Sequence, residues 1–304
     1  MVKRYVAGFV VLVCLLSQSV LAFGPKGHEL VGTIADRLLT SKPASAKIKI
    51  LLEGVSLADA ARIADDIKGL EKKNWDGEPV ATLPWTMTTN LRRDMYEFLK
   101  ANSNSHGGHG HNPDHHSFHY TDISVVSDLK YDIAKKGAGK TDVVQMINYC
   151  IGVLKGTNPQ PNQYAITPRV AVVLLAHYLG DIHQPLHVGA AYFDATGARV
   201  DPDVVPSAKA DHGGNDIQMH PAGSSTSSLA LHAFWDDRAV DAAIHGIKLS
   251  AGSSTGGTLT VAEIDTHFVT AAPAGAPLDA GVPIEKLSVT WANEILPISK
   301  KSHE

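Results

Sequence analysis

"LLAHYLGDIHQPLHVGAAYFD" runs from Leu174 to Asp194, and its first two-thirds set three histidines and an aspartate around a glycine and a proline in an otherwise apolar segment. In a helix ending near Asp181, His177 and Asp181 are four apart and share a face. Pro185 then forces a stop or kink that can swing His187 back toward them. Imidazole and carboxylate on adjacent turns suit a zinc ion. Standing alone, such a pair is read more readily as a helix-surface ion pair. His183, six residues after His177, points to another face and reads as a packing or supporting histidine.

Working outward, "LALHAFWDDR" (229–238) repeats the device, with His232 and Asp236 again four apart among Leu229, Leu231, Phe234 and Trp235. Two such pairs are much harder to dismiss than one. "SFHYTDI" (117–123) sets His119 between Phe118 and Tyr120, with Asp122 following. "FGPKGHE" (23–29) sets His28 five residues after Phe23.

The apolar residues Leu30, Val31, Ile34, Ala35, Leu38 and Leu39 fall at spacings of three and four, which predicts a helix over 28–39. The same pattern recurs over 41–52, 57–68, 141–154, 167–180, 227–245 and 283–296, so the class is mainly α. Residues 77–90, 102–117 and 195–220 read as loops, the last with room for a small hairpin around Ile217-Gln218-Met219. Residues 252–257 and 271–281 are small-residue connectors.

Met1-Val2-Lys3-Arg4 is basic, Tyr5 to Leu16 is almost wholly apolar, and small residues end the run at Ala22. This predicts a secretory signal peptide over 1–22, cleaved after Ala22, and a mature chain that is secreted or periplasmic. The alternatives are an uncleaved anchor, for which the run is short, or a lipoprotein at Cys14, where Val13 stands in place of a small residue. No other stretch approaches membrane-spanning length, so no stable membrane association is expected. Only Cys150 would survive cleavage, which excludes an intrachain disulfide and leaves the core, with metal ions, to hold the fold. Without Lys3 and Arg4, 25 of the 27 basic side chains remain against 31 acidic ones, a formal charge of −6. The electrostatic footprint of a sequence-independent DNA-coating protein is missing. Histidine is the count that stands out, at 16.

Together, "GHELVGTIADRLL", "AARIADDIK", "FHYTD", "LLAHYLGDIHQPLHVG", "DHGGNDIQ" and "ALHAFWDD" resemble the zinc-dependent single-strand-specific nucleases of the S-one/P-one type. The superfamily also contains zinc-dependent phospholipase C. The resemblance implies a helical domain over 23–304 with long loops and three zinc ions. One ion would be held by Asp65, His119, His177 and Asp181. The second would be held by Phe23 through its backbone amine and carbonyl, by His28 and by the bridging Asp181. His187, His232 and Asp236 would hold the third. It further implies that Tyr120 stacks on a base, that Asp122 bonds to the edge of that base, that Asn215 contacts substrate, and that Asp65 and Lys68 serve catalysis. A zinc-activated hydroxide would attack phosphorus. Stacking needs an unpaired base, so the expected substrates are single-stranded DNA and RNA and nucleotides, with 3′-nucleotidase activity. No protein partner is implied.

Four departures stand against that pattern. Phe23 and Ile63 each replace a tryptophan. Lys68 stands where some members have arginine, keeping charge but losing the bidentate fork. The gap between Asp65 and His119 is long, which leaves Asp66 as a rival to Asp65. The chain also ends soon after "WANE" (291–294), where relatives continue into helix, so truncation is expected there. "HGGHGHNPDHH" (106–116) carries His106, His109, His111, His115 and His116, and is read as a flexible, solvated insertion able to recruit zinc only weakly. Two other functions compete: a phospholipase C, and a zinc-binding protein without catalysis.

Overall fold

The computed structural model describes residues 23–68, 83, 86–103, 112–126, 128–220, 228–250, 252, 257–270 and 281–304. The signal peptide predicted over 1–22, with Cys14, and His106, His109 and His111 lie outside the described residues.

The segment quoted first becomes the central helix. In chain order the helices leading to it are α1 (Pro25–Leu39), α2 (Pro43–Leu51), α3 (Leu57–Asp66), α4 (Thr89–Ala101), α5 (Val143–Lys155) and α6 (Pro168–Asp181). Thr167 opens α6 by accepting from the Val170 N–H at 3.3 Å, and Pro168 in the first turn has no N–H to satisfy. From Val170 to Leu174, and again at His177, Tyr178, Gly180 and Asp181, α6 is buried. A helix apolar on nearly every side belongs in the interior, which is why this one lacks a polar stripe. Helices α3 and α5 both pack on it, and α1 packs on α3 and reaches α6. Ile63, Met95, Phe98, Phe118, Ile147 and Leu174 share the resulting core.

The five helices predicted from 28 to 180 are present, with ends shifted by at most three residues. Helix α4 was not foreseen, and it takes up Thr89 and Asn90 from the predicted 77–90 loop. The region 227–245 is not one helix. Its described part holds strand β6 (Leu229–Ala230), the short α7 (Leu231–Ala233), a π-helical turn over Phe234–Arg238 and α8 (Ala239–Ser250). Strand pairing wins at its start, where β5 (Gln218–Met219) and β6 (Leu229–Ala230) run antiparallel. A second antiparallel pair joins β3 (Tyr192–Phe193), just before the predicted 195–220 loop, to β4 (Lys209–Ala210) within it. Strand β1 (Ile123–Ser124) runs parallel to β2 (Gly189–Ala190), tying "FHYTDI" to the segment after α6.

Between the connectors lies an unforeseen turn of helix, α9 (Val261–Ile264), continued by a π-helical stretch. Its Ile264 packs with Ile244 of α8 against Leu30 and Ile34, the second apolar face of α1. Helix α10 (Leu287–Ser302) continues through Pro297 past the predicted end and packs on α5, on β2 and on the turn after α6. The reading of 106–116 as a solvated insertion, inside the predicted 102–117 loop, needs correction where it is described. Asn102, Asn112 and His115 are buried, and Asn112 Nδ2 donates to the Gln163 carbonyl at 2.6 Å. An amide that satisfies a backbone carbonyl anchors the end of the loop to the core. Among the described residues no helix is long and apolar enough to cross a membrane.

Candidate metal centre

Helices α1, α3 and α6 each send one or two ligand-type side chains to a common point. His28 comes from α1, Asp65 from the last turn of α3, and His177 with Asp181 from α6. All four are buried, as is His119, delivered by the 3-10 turn His115–His119. The Asp181 carboxylate lies at the middle. Its Oδ1 is 3.3 Å from His28 Nε2, and its Oδ2 is 2.9 Å from His119 Nδ1 and 3.2 Å from His177 Nε2. Asp65 Oδ1 lies 3.5 Å from His177 Nε2 and 4.0 Å from His119 Nδ1. Asp66, its rival, points outward and is exposed.

The third cluster forms where the chain turns after α6. The 3-10 turn Pro185–His187 brings His187 back beside the end of α6, its Nδ1 3.9 Å from Asp181 Oδ1. His232 comes from α7 and Asp236 from the π-helical turn, 3.6 Å apart between Nε2 and Oδ2. A π turn inside a helix is a common device for presenting a side chain at a site. Ligand atoms fall within 4.8 Å of one another in three such groups: His28, His177 and Asp181; Asp65, His119 and His177; His187, His232 and Asp236.

Hydrogen bonds fix which ring nitrogen faces inward. His177 Nδ1–H donates to the Ala61 carbonyl at 2.6 Å, His187 Nδ1–H to the His119 carbonyl at 2.8 Å, and His232 Nδ1–H to the Gly213 carbonyl at 2.8 Å. A carbonyl only accepts, so in each neutral ring the lone pair sits on Nε2. Yet His187 Nε2 and His232 Nε2 face each other at 3.1 Å. Two lone pairs aimed at one point repel unless a cation lies between them, and bonds of about 2 Å to one tetrahedral zinc would set them about 3.3 Å apart. Asp181 Oδ1 and Asp65 Oδ2 are buried with no hydrogen-bond partner among the described residues. The donor set therefore fits divalent metal.

Burial, the largest influence, holds His187 down at about 3, and His119 and His28 below the ordinary histidine value. These are neutral imidazoles, the form that binds metal. Burial acts on His177 in the same sense, but Asp181 and Asp65 outweigh it and raise the ring. Burial pushes the Asp236 carboxyl up to about 8, opposed by the Gln184 amide, which donates to Asp236 Oδ1 at 2.8 Å. Gln184 sits inside the stretch quoted first, and its amide type gave no signal that it would orient a carboxylate.

Lys68 follows α3 directly, is buried, and places its ammonium 2.6 Å from Asp65 Oδ1. Phe23 sits against the same centre: its ring meets His28 edge-on at 6.2 Å between centroids, and the Gly24 N–H donates to the Asp236 carbonyl at 3.0 Å. Tyr120 and Asp122 alternate along extended chain beyond His119, which puts both side chains on one side. Tyr120 is 39% exposed, enough to offer a ring face. Desolvation raises the Asp122 carboxyl to about 6, against the pull of His212. Asn215 stays in its own turn, its Nδ2 donating to the His212 carbonyl at 2.7 Å, outside the ligand groups. His183 is exposed on the far face, its ring 5.7 Å from that of Trp291. Asp114, His115 and His116 form a fourth gathering of ligand atoms, apart from the other three groups.

The fold and these clusters define a mainly helical protein with a buried centre of histidine and aspartate whose groups could hold metal. The chain belongs to the S1/P1 nuclease family, whose model matches residues 23–255. It is 25% identical to Endonuclease 5 of Arabidopsis thaliana over 232 residues, covering 75% of this chain and 60% of that protein. Endonuclease 4 of the same plant is 23% identical over 244 residues, covering 80% and 63% respectively. Against Endonuclease 3 the identity is 35%, over 74 residues that make up 24% of this chain and 18% of that one. The chain thus spans about three-fifths of the length of Endonuclease 5.

Proposed function

We propose that this protein is an exported zinc-dependent phosphodiesterase that cleaves single-stranded DNA and RNA and removes phosphate from 3′-nucleotides. The observation that carries the reading is the convergence of three His/Asp groups on one centre, with lone pairs aimed at each other across 3.1 Å, in a chain of a nuclease family. Asp65, His119, His177 and Asp181 would hold one ion, Phe23, His28 and Asp181 a second, and His187, His232 and Asp236 a third. When bound, zinc would supply Lewis acidity, to make water a nucleophile near neutral pH and to offset charge on the departing oxygen.

The chain's own residues supply positioning and charge. Among the described residues the carboxylates in the three groups are Asp65, Asp181 and Asp236, so the loaded centre would stay positive and attract a phosphodiester despite the acidic protein. Lys68, pinned by Asp65, would place a cation beside a non-bridging phosphate oxygen. Tyr120 would stack on an unpaired base while Asp122 accepts from its edge, and a duplex hides that face.

The test incubates metal-loaded protein with single-stranded oligonucleotide, duplex, 3′-nucleotide and phosphatidylcholine. Cleavage of the single strand over the duplex, with phosphate released from the 3′-nucleotide, is the expected result. Hydrolysis of phosphatidylcholine alone would make the protein a phospholipase C, and zinc binding without any hydrolysis would make it a zinc-binding protein.

A further inference from the structure

The last turn of α10 and the residue that caps it carry two buried polar side chains, Ser299 and His303, that face the backs of two loops of the centre. Ser299 Oγ–H donates to the Pro185 carbonyl at 2.5 Å. The approach is so close that a Cβ on Gly189 would lie 2.6 Å from Ser299 Cβ. One turn further, His303 Nδ1–H donates to the Ser299 carbonyl at 2.7 Å, and its Nε2 lies 3.1 Å from Asp211 Oδ2. The His303 and Asp211 side chains are 0% and 2% exposed. Neither His303 Nε2 nor Asp211 Oδ2 has a hydrogen-bond partner among the described residues, so this is a close contact between two buried polar atoms rather than an aligned hydrogen bond. The other Asp211 oxygen accepts from the Ala191 N–H at 3.1 Å.

Asp211 opens a turn that needs holding. His212, Gly213 and Gly214 have φ of 52°, 59° and 78°, the left-handed region that a side-chain-bearing residue such as His212 disfavours. The same turn supplies the Gly213 carbonyl that orients His232, and a Cβ on Gly213 would lie 2.2 Å from the Leu186 carbonyl oxygen. The 211–214 turn therefore presses on the turn that carries His187.

We propose that Ser299 and His303 form a clamp behind the His187, His232 and Asp236 group. They are positioning residues: Ser299 holds the Pro185–His187 turn, and His303 holds the 211–214 turn through Asp211, so that both Nε2 atoms stay aimed at one point. The inference rests on reading that group as a zinc site. Both residues lie beyond the stretch matched to the family, 23–255.

The experiment follows zinc retained per chain under stepwise chelator competition, in the full chain and in His303→Ala, His303→Gln and Ser299→Ala, with the His232 ring read by nitrogen-15 NMR. His303→Ala should keep two ions as tightly as the parent and hold the third about tenfold more weakly, the order of loss seen when a ligand's supporting bond is removed. His303→Gln, whose amide can reach Asp211 with a polar N–H, should recover most of that affinity. A folded His303→Ala that holds every ion normally overturns the clamp, and so does equal loss in the alanine and glutamine variants. Should His303→Ala not fold, the milder Ser299→Ala decides: a several-fold weaker third ion supports the clamp and unchanged affinity overturns it. A parent chain that binds no zinc would defeat the zinc reading instead. The clamp is then judged on the His232 Nδ1 proton, which should be protected in the parent and exchange freely in the variant; equal protection in both sinks it.

Discussion

Replacing Tyr120 by alanine removes a ring that makes no bond to the metal groups, so its effect separates substrate binding from site assembly. Loss of one stacked base costs about 1–3 kcal/mol, so KM for a single strand should rise about fivefold to 150-fold with zinc content unchanged. Zinc loss in Tyr120→Ala would show that the ring serves only to pack around His119. Asp122 adds a pH signature. Its carboxyl is raised to about 6, so below that pH it carries a proton and loses acceptor strength, and above it the carboxylate can accept from a base edge. KM should therefore fall as pH rises through about 6 in the parent chain, and Asp122→Asn should flatten that step while other pH effects persist. A parent profile identical to that of the variant would remove Asp122 from recognition. Of the site residues, the His/Asp pairs of α6 and of residues 232–236 were legible because helical spacing alone puts them on one face. Gln184, Asp211 and His303 were not, because each acts through a partner that only folding brings near.

Among the elements, the α1–α3 contact decides whether His28 and Asp65 meet. Gly32 allows it: a Cβ there would lie 2.3 Å from the Leu57 carbonyl oxygen and 2.6 Å from Ala58 Cα, backbone atoms that move only if the helix moves. Gly32→Ala should destabilise the fold by about 1–3 kcal/mol and weaken zinc retention with it. Gly246→Ala, on the exposed face of α8 with nothing within 4 Å, is the control and should stabilise by about 0.5–1 kcal/mol. Urea unfolding of the two variants checks the sign, and a Gly32→Ala as stable as the parent would mean the helices can part freely. The elements were legible where periodicity was uninterrupted. Helix α4 escaped notice although Leu91, Met95, Phe98 and Leu99 form its buried face, because one apolar stripe among Arg92, Arg93 and Asp94 reads as polar chain. The π-helical turn at Asp236 was hidden for a different reason: it breaks the 3.6-residue repeat that the reading assumes.

At the scale of the whole molecule, the metal groups join segments that have little else in common. α1, α3, the His119 turn, α6 and the chain around α7 each contribute a side chain to these groups. Removing zinc would leave buried lone pairs and carboxylates facing each other, so chelation should lower the melting temperature. Readdition at a hundred times the dissociation constant should restore about 2.7 kcal/mol for each independent site. Calorimetry with and without chelator reads this directly, and an unchanged melting temperature would mean that zinc does not hold the fold.

The start of the proposed mature chain makes export processing part of the chemistry. Phe23 lies beside His28, and Gly24 is tied to the Asp236 carbonyl at 3.0 Å, so a chain end created at Phe23 would open at the centre itself. A free α-amine and its neighbouring carbonyl can close a five-membered chelate ring on one ion, whereas the amide nitrogen left by an uncut leader is a very poor ligand. The amine would have to shed its proton to bind, so on this reading zinc affinity at Phe23 would depend on pH as well as on cleavage after Ala22. A chain retaining Leu21-Ala22 should still fold, because α1 and its packing on α3 are unchanged. It should bind one zinc fewer, or bind it loosely, and its activity should fall sharply, since a nucleophile shared by two ions needs both. Zinc content and single-strand cleavage are compared for the chain beginning at Phe23 and the chain beginning at Leu21, each with its first residue verified by mass spectrometry. Equal zinc and equal rates would remove Phe23 from the ligand set and leave His28 and Asp181 to hold that ion with water.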